Sequence, residues 1–573
     1  MNFPTTLQAV LSASTDNVNT TTAVRDCNGL VEQVFVSFAG VKPDDVDTNS
    51  ITPESLRKLA KDLSMTMLRL LAPGATAHDD GNSMENETER IKALSSAVLQ
   101  TVQNESGWLD HNDTLLSDLA ELLRATKNLL RWYIQIYLSV HAPVLPSPLS
   151  MLQSTQAVDL YVTILQRTSA SPERQETARH ACLALFYATY NPLPQTSSAM
   201  TFVEPLYQHL VESLDIVRIC ITLLMENNAA SVLLSVVRLL HNLLGSVPGL
   251  TKRVSTNSKN SNGTVVALYP VPKDDEGKRG PWMDDSIADN TNDQDGTASD
   301  DGIDTVSLLF RLMAWHIQPP FPNERRSDLV VEILRTLYVL RAGLTLGQTY
   351  NRKVLLDVLS MDEAAFDCKL GCVTLLMDAP QGFGKALLSA DNNNDDKKNN
   401  NETDSSSSTS RSSPSSPVVK ELLSIMEIQV SDVVKSSRCG NTVATALVPS
   451  LVVLNRFSQD SPLVMQQVRE AIFPPSAEVA FQEKAAAETA KVNGQGVGAK
   501  NMSPLDAPRD SLRWKLIRLM TWTESHTKRV VSELLWTLCH GDAKEFVLRT
   551  GFGNAMPMLG LKGLVEMPSQ FGK

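Results

Sequence analysis

Between Leu512 and Leu564 apolar residues recur at intervals of three and four in successive short runs, and that periodicity restricts the segment to helices packed on helices. Leu512, Leu516, Leu519 and Met520 share one stripe, and Val530, Val531, Leu534, Leu535 and Leu538 form the next. The polar turn Thr523-Glu524-Ser525-His526-Thr527 offers hydroxyls that accept from the otherwise unpaired first amides of the second helix. A glycine-punctuated third helix follows. Such a set is the repeating unit of an α-solenoid, in which each unit buries its apolar face against its neighbours.

The pattern recurs upstream with almost no strand-like alternation. Leu56, Leu59, Ala60, Leu63, Met67 and Leu70 repeat at helical spacing after the start signal Thr52-Pro53, until Pro73-Gly74 stops them. Leu115, Leu119, Leu122, Leu129 and Tyr133 line a longer helix after Asp113. Further helices are expected over residues 173–190, 231–245, 327–344, 418–434, 442–457 and 462–472. No repeat word recurs, only the pattern, because stacking constrains the apolar face and leaves the rest free. A chain of 573 residues exceeds one compact core, and aromatics at 5% favour Leu-rich helix packing over a β-sandwich. The predicted fold is an all-α, right-handed α-solenoid of armadillo/HEAT-like repeats.

Composition shifts divide the chain. N-terminal repeats are expected over 1–250, an acidic insertion over 251–304, central repeats over 305–390 and a low-complexity loop over 391–417. Repeats then resume over 418–475, followed by a flexible linker over 476–507, C-terminal repeats over 508–566 and a tail over 567–573. The two insertions are rich in Asn, Asp, Gly and Ser and carry too little apolar surface to order themselves.

The formal net charge of -12 argues against a protein built for a nucleic-acid backbone or an anionic membrane surface. No apolar run reaches the ~18 residues that span a bilayer, and Met1-Asn2-Phe3-Pro4-Thr5-Thr6 lacks a basic secretory n-region, so a soluble, intracellular chain is expected. Most of the seven cysteines sit in apolar helical text, where a thiol behaves as a small hydrophobe. Cys368 and Cys372 are close, but C-x-x-x-C without a second Cys or His pair is poor zinc chemistry, and no metal or other cofactor is expected. Gly494-Gln495-Gly496-Val497-Gly498-Ala499-Lys500 departs from a phosphate loop at Ala499 and Asn501, and Gly382-Phe383-Gly384-Lys385 fails likewise. Neither His540 nor His241 has a triad or metal partner in the sequence.

A solenoid offers a groove in which an extended or helical partner can lie. Candidate lining residues are Arg238 and Asn242, one helical turn apart, then Arg335, Tyr338 and Arg341, Asn455 and Arg456, and finally Lys528, Arg529, Ser532 and Trp536. Each has a structural alternative: a solvated arginine, an asparagine capping neighbouring backbone, or a core tryptophan.

The wording of the C-terminal block goes beyond periodicity. Lys515-Leu516-Ile517-Arg518-Leu519-Met520-Thr521, Lys528-Arg529-Val530, Glu533-Leu534-Leu535-Trp536-Thr537-Leu538-Cys539 and Thr550-Gly551-Phe552-Gly553-Asn554-Ala555 resemble the C-terminal repeats of the synembryn family, the chaperones and exchange factors of heterotrimeric G-protein α subunits. Echoes run through Ile472-Phe473-Pro474-Pro475, Val331-Glu332-Ile333-Leu334-Arg335, Val237-Arg238-Leu239-Leu240 and Leu56-Arg57-Lys58-Leu59-Ala60-Lys61. Lys515, Arg518, Gly551, Gly553 and Asn554 are the positions of the motif singled out.

The resemblance implies a monomeric cytoplasmic protein that meets the plasma membrane through its G protein. Its partner would be an α subunit that is GDP-bound, nucleotide-free or nascent, held by its C-terminal helix. Exchange would proceed without covalent chemistry, so no catalytic residue is expected. Two departures bear on this. The basic pair that the family carries on an early helix falls near Gln100 and Asn104, and the family's acidic segment and bracing helix would lie beyond Lys573. A generic armadillo-type adaptor or scaffold for another partner is the alternative.

Overall fold

The computed structural model describes residues 157–168, 174–190, 207–227, 229–246, 250–255, 268–269, 303–317, 326–361, 365–388, 416–435, 441–474, 511–522 and 525–565, with separate positions between 120 and 131. The helix expected over Leu56–Leu70 lies outside the described residues, as do most of the one after Asp113 and the Gly494–Lys500 run. The chain divides into two compact units, Met1–Leu340 and Arg341–Lys573.

In the first unit α1 (Ala157–Thr168) packs on α2 (Gln175–Ala188), and a π-helical turn (His209–Ser213) leads into α3 (Ile216–Glu226). Then come α4 (Ala230–Ser246), α5 (Leu250–Ser255), the two-residue strands β1 (Leu268–Tyr269) and β2 (Ile303–Asp304), α6 (Thr305–Ile317) and α7 (Arg326–Val339). Helix α4 is the centre, flanked by α2 and α7 with α3 against it. Its Val232, Leu233, Val236, Val237, Leu240 and Leu243 are buried, because a helix covered on several sides is apolar nearly all round.

Two expectations change here. The stretch read as an acidic insertion over 251–304 begins with α5 and contains an antiparallel strand pair, Leu268 opposite Asp304 and Tyr269 opposite Ile303. The apolar run Val265-Val266-Ala267-Leu268-Tyr269 was averaged away by the polar composition around it. Asp304 also caps α6, accepting from the amides of Val306 and Ser307 at 2.9 Å each. The helix expected over 327–344 ends at Val339: Arg341 takes a left-handed φ of 54° and a 3-10 segment, Ala342–Gly347, follows. A Cβ at Gly343 would lie 2.8 Å from the Leu375 carbonyl oxygen, so close packing dictates this glycine.

On α2, His180 is buried, and burial with the nearby Arg179 and Lys127 charges lowers its pKa to about 4, Glu176 opposing. Arg179 reaches the ring Nε2 at 3.4 Å and holds Glu176 at 2.6 Å. An unfolded histidine titrates near 6.5, so the unfolded chain binds the extra proton first and stability falls as pH drops from about 6.5 towards 4. At ~1.4 kcal/mol per pH unit, the first unit should lose roughly 2 kcal/mol between pH 6.5 and 5. Urea midpoints at both pH values should show this, and His180→Gln should flatten it.

The second unit continues from the 3-10 segment through α8 (Thr349–Ser360), α9 (Phe366–Leu376), α10 (Pro417–Lys435), α11 (Asn441–Asp460) and α12 (Pro462–Ile472). The C-terminal block is α13 (Leu512–Leu519), α14 (Ser525–Leu538), α15 (Ala543–Thr550) and α16 (Phe552–Leu561). Helix α11 packs against α9, α10, α12 and α14, burying Leu447, Leu451, Leu454 and Phe457. Helix α12 has the boundaries its sequence predicts, with Pro462 in the first turn and the Ser461 hydroxyl accepting from Val464 N. Ser511 and Asp542 cap α13 and α15 in the same way.

The architecture is all-α apart from one two-stranded pair among the described residues, as expected of a stack of helical repeats. Within the described residues no helix is long and apolar enough to cross a membrane. Cys182, Cys220, Cys368, Cys372 and Cys539 are buried thiols. Burial pushes Cys220 and Cys539 up to about 12, so these thiols stay protonated and pack as hydrophobes.

Candidate functional site

The candidate groove residues fall in both units. In the first, Arg238 on α4 and Arg335 on α7 share one carboxylate oxygen of Glu332, at 3.4 and 3.0 Å. Glu332 is buried while Arg335 and Tyr338 are exposed one turn apart on α7. Two guanidiniums on one carboxylate leave a net positive, donor-rich ridge with an aromatic beside it, suited to an anionic group. His241, one turn along α4, has a pKa lowered by burial, and its Nδ1 is buried with no hydrogen-bond partner among the described residues. Asn242 has a structural task instead, its Nδ2 donating to the Phe186 carbonyl at 3.0 Å and so tying α4 to α2.

In the second unit, exposed Arg341 stands at the left-handed entry to the 3-10 segment. Arg456 on α11 donates to the Met377 carbonyl at 3.2 Å, sealing the C-terminal end of α9. Neighbouring Asn455 has a buried Oδ1 with no hydrogen-bond partner among the described residues. Along α14, Lys528 is half-buried and Arg529 is exposed, reaching Glu533 at 3.1 Å. Ser532 is buried and donates to the Lys528 carbonyl, so it serves the helix.

Trp536 packs edge-on against Phe546, with ring centroids 5.4 Å apart, and covers Gly541, whose added Cβ would lie 3.6 Å from the indole nitrogen. Below it α14 ends in a Schellman turn: Gly541 N donates to Trp536 O at 3.1 Å and His540 N to Thr537 O at 2.9 Å. Trp536 therefore clamps the α14–α15 turn. Gly382 N, in the run that fails as a phosphate loop, donates to the Asp460 carboxylate at 3.0 Å. A Cβ at Gly384 would sit 3.1 Å from the Phe457 carbonyl, so these glycines serve packing on α11. No group of three His, Cys, Asp or Glu is placed to hold a metal ion among the described residues.

The motif residues build the C-terminal block. Lys515 donates to Ser431 on α10 at 2.9 Å, and the Arg518 guanidinium lies over the Trp514 ring at 5.3 Å. Gly551, at φ 88° and ψ 141°, is the hinge between α15 and α16, and Asn554 Nδ2 returns across the break to the Thr550 carbonyl at 2.8 Å. The sequence reading missed the polar hub beside them. Glu545 accepts from Arg549 at 2.8 Å and Arg469 at 3.0 Å, and Arg549 lies 4.3 Å over the Phe473 ring. The i,i+4 spacing of Glu545 and Arg549 was the available signal.

Residues 501–570 match a family model described as guanine nucleotide exchange factor synembryn. Chaperone Ric-8A of Mus musculus is 45% identical over 56 residues, 10% of this chain and 11% of that protein. Chaperone Ric-8A of Danio rerio is 28% identical over 148 residues, 26% of this chain and 22% of that protein. For the Xenopus laevis protein of the same name the figures are 41% over 56 residues, 10% of each chain. The matches thus cover between a tenth and about a fifth of these relatives' lengths. The stretch that matches the synembryn model includes the helix break at Gly551 and the cationic start of α14.

Proposed function

We propose that this protein binds G-protein α subunits by their C-terminal helix and acts on them as a chaperone and guanine-nucleotide exchange factor, without covalent chemistry of its own. The match of residues 501–570 to the synembryn model is the observation that carries this reading. An amphipathic helix ending in a free carboxylate needs an apolar wall and a few well-placed cations. Lys528 and Arg529 on α14 are the proposed cations for that carboxylate, and the Arg238–Glu332–Arg335 ridge of the first unit is proposed separately as an anion-binding surface. Asn242, Ser532 and Trp536 drop out of direct recognition, since their side chains serve the fold.

Exchange follows from linkage. A protein that binds the nucleotide-free α subunit more tightly than the GDP-bound one must weaken GDP binding by the same factor. Each tenfold preference is about 1.4 kcal/mol, and inverting a 1:99 population takes about 5.5 kcal/mol. No single surface ion pair supplies that, so the interface must be broad.

Fluorescence titration with peptides copying the C-terminal tails of α subunits, against a scrambled control, tests the reading. Saturable, sequence-dependent binding is expected, and absence of binding to any tail would sink it. Reversing both Lys528 and Arg529 to Glu should weaken that binding about tenfold or more at low salt while changing stability by less than about 0.5 kcal/mol. Unchanged affinity would remove α14 from the interface.

A further inference from the structure

Leu123 and Leu130 are helical and fully buried, which fixes the side of this stretch that faces the core. Arg124, Lys127 and Arg131 keep the i, i+3, i+7 spacing of one stripe beside that side. Arg124 and Lys127 are half-buried, and Arg131 is exposed. A fourth cation, Arg179 of α2, acts on Lys127 and is itself mostly covered. A chain of net charge -12 thus gathers four cations in one place.

The surrounding acids do not balance them. Glu176 is engaged by Arg179, whose Nη2 donates to it at 2.6 Å and whose Nε donates at 3.1 Å. Among the described residues no acid pairs with Lys127 or Arg131. Burial and the charges of Arg179, Arg124 and Arg131 hold the Lys127 amine below the usual lysine range, with Glu176 opposing. His180, with its pKa of about 4, is neutral at neutral pH and leaves that repulsion as it is. A half-buried amine among three guanidiniums costs folding energy that an added anion would recover.

Spacing and burial say what carries the anion. Lys127 and Arg131 are four residues apart, about 6 Å along a helix axis. Side chains two residues apart on an extended peptide share one face at about 6.5–7 Å, so alternate carboxylates match the two cations. Lys127 is set back beside the core, where a single entering side chain reaches it. A lipid surface or a nucleic-acid backbone calls instead for protruding cations over a broad area, and the chain's overall negative charge repels both.

We infer that the Arg124–Lys127–Arg131 stripe, with Arg179 beside it, binds an acidic segment of another protein, held extended with alternate carboxylates on Lys127 and Arg131. Few contacts and a repelling overall charge make the binding weak, with Kd on the order of 100 micromolar at low salt. It needs no α-subunit tail and no terminal carboxylate, so this inference and the proposed function stand or fall separately.

Fluorescence anisotropy of the full chain with a labelled Glu-Ser repeat peptide, blocked at both ends, tests it against a Gln-Ser repeat. Saturable binding of the acidic peptide only is expected, weakening about tenfold or more between low and physiological salt. Lys127→Gln with Arg131→Gln should weaken it at least tenfold and raise the urea midpoint, because the repulsion goes with the charges. Lys353→Gln with Lys544→Gln removes the same charge from exposed positions of the second unit and should leave binding within about twofold. Lys127→Arg, which keeps the charge, should retain most of the affinity. Equal binding of both peptides, no binding of either, or a Lys127/Arg131 double variant that binds as well as wild type would overturn the inference. So would phosphatidylserine vesicles or single-stranded DNA that bind through these residues while the acidic peptide does not.

Discussion

Replacing Glu545 with alanine is expected to destabilise the second unit by about 3–5 kcal/mol, the cost of taking one partner from a buried ion pair. Arg549 is 1% exposed, so the Nε that donates to Glu545 at 2.8 Å cannot turn to bulk water instead. Glu545 also accepts from Arg469 on α12 at 3.0 Å, and Arg469 in turn donates to the Leu538 carbonyl at the end of α14 at 3.4 Å. One carboxylate therefore ties α12, α14 and α15 together. The Phe473 ring is covered by Arg549 and meets Arg513 at 5.8 Å, while Arg513 donates to the Arg549 carbonyl at 3.0 Å. Chemical denaturation of Glu545→Ala, Arg549→Met and the double variant checks the account. The double variant should be less destabilised than the sum of the singles by more than about 1 kcal/mol, because the fully buried Arg549 charge goes together with its carboxylate and only the part-exposed Arg469 loses a partner. Additive losses would mean that Glu545 and Arg549 do not act as a unit.

The helices were legible in the sequence where one apolar face decides everything. Val464, Val468 and Ile472 are buried at helical spacing behind a Ser-Pro start, and α12 has the predicted ends. The end of α7 was not legible, because Arg341 and Gly343 continue an acceptable helical pattern and the reason for stopping, the Leu375 carbonyl, is distant in sequence. The candidate site divides along the same line. Arg238 and Arg335 were singled out as cations, but the carboxylate that joins them was not, since Glu332 reads as one more solvated acid on α7. Asn242 and Arg456 looked like groove residues because polar side chains on Leu-rich helices suggest a lined concavity. Their carbonyl partners, Phe186 and Met377, lie 56 and 79 residues away and leave no local trace. Within the strings quoted for the resemblance, Phe473, Glu332, Arg238 and Gly551 hold interhelix contacts or a helix break that few other residues can make.

The two glycines of Thr550-Gly551-Phe552-Gly553 should respond to the same substitution in opposite directions. Gly551 joins α15 to α16 at φ 88° and ψ 141°, a conformation in which any Cβ is strained, so Gly551→Ala should cost about 1–3 kcal/mol. Its neighbours are committed to that break: Thr550 is buried with its hydroxyl on the Phe546 carbonyl, and Asn554 donates back to the Thr550 carbonyl. An alanine that relaxed towards helical φ would run α15 straight into α16 and remove the turn that lets Ala555, Met558 and Leu559 reach the core. Gly553, two residues on, has ordinary helical backbone and open space at its Cβ position. Gly553→Ala should therefore stabilise the chain by about 0.5–1 kcal/mol, through helix propensity and a less disordered unfolded state. Stabilities from urea denaturation of the two variants should differ by about 1.5–4 kcal/mol. A destabilised Gly553→Ala would mean that the fold itself needs the second glycine.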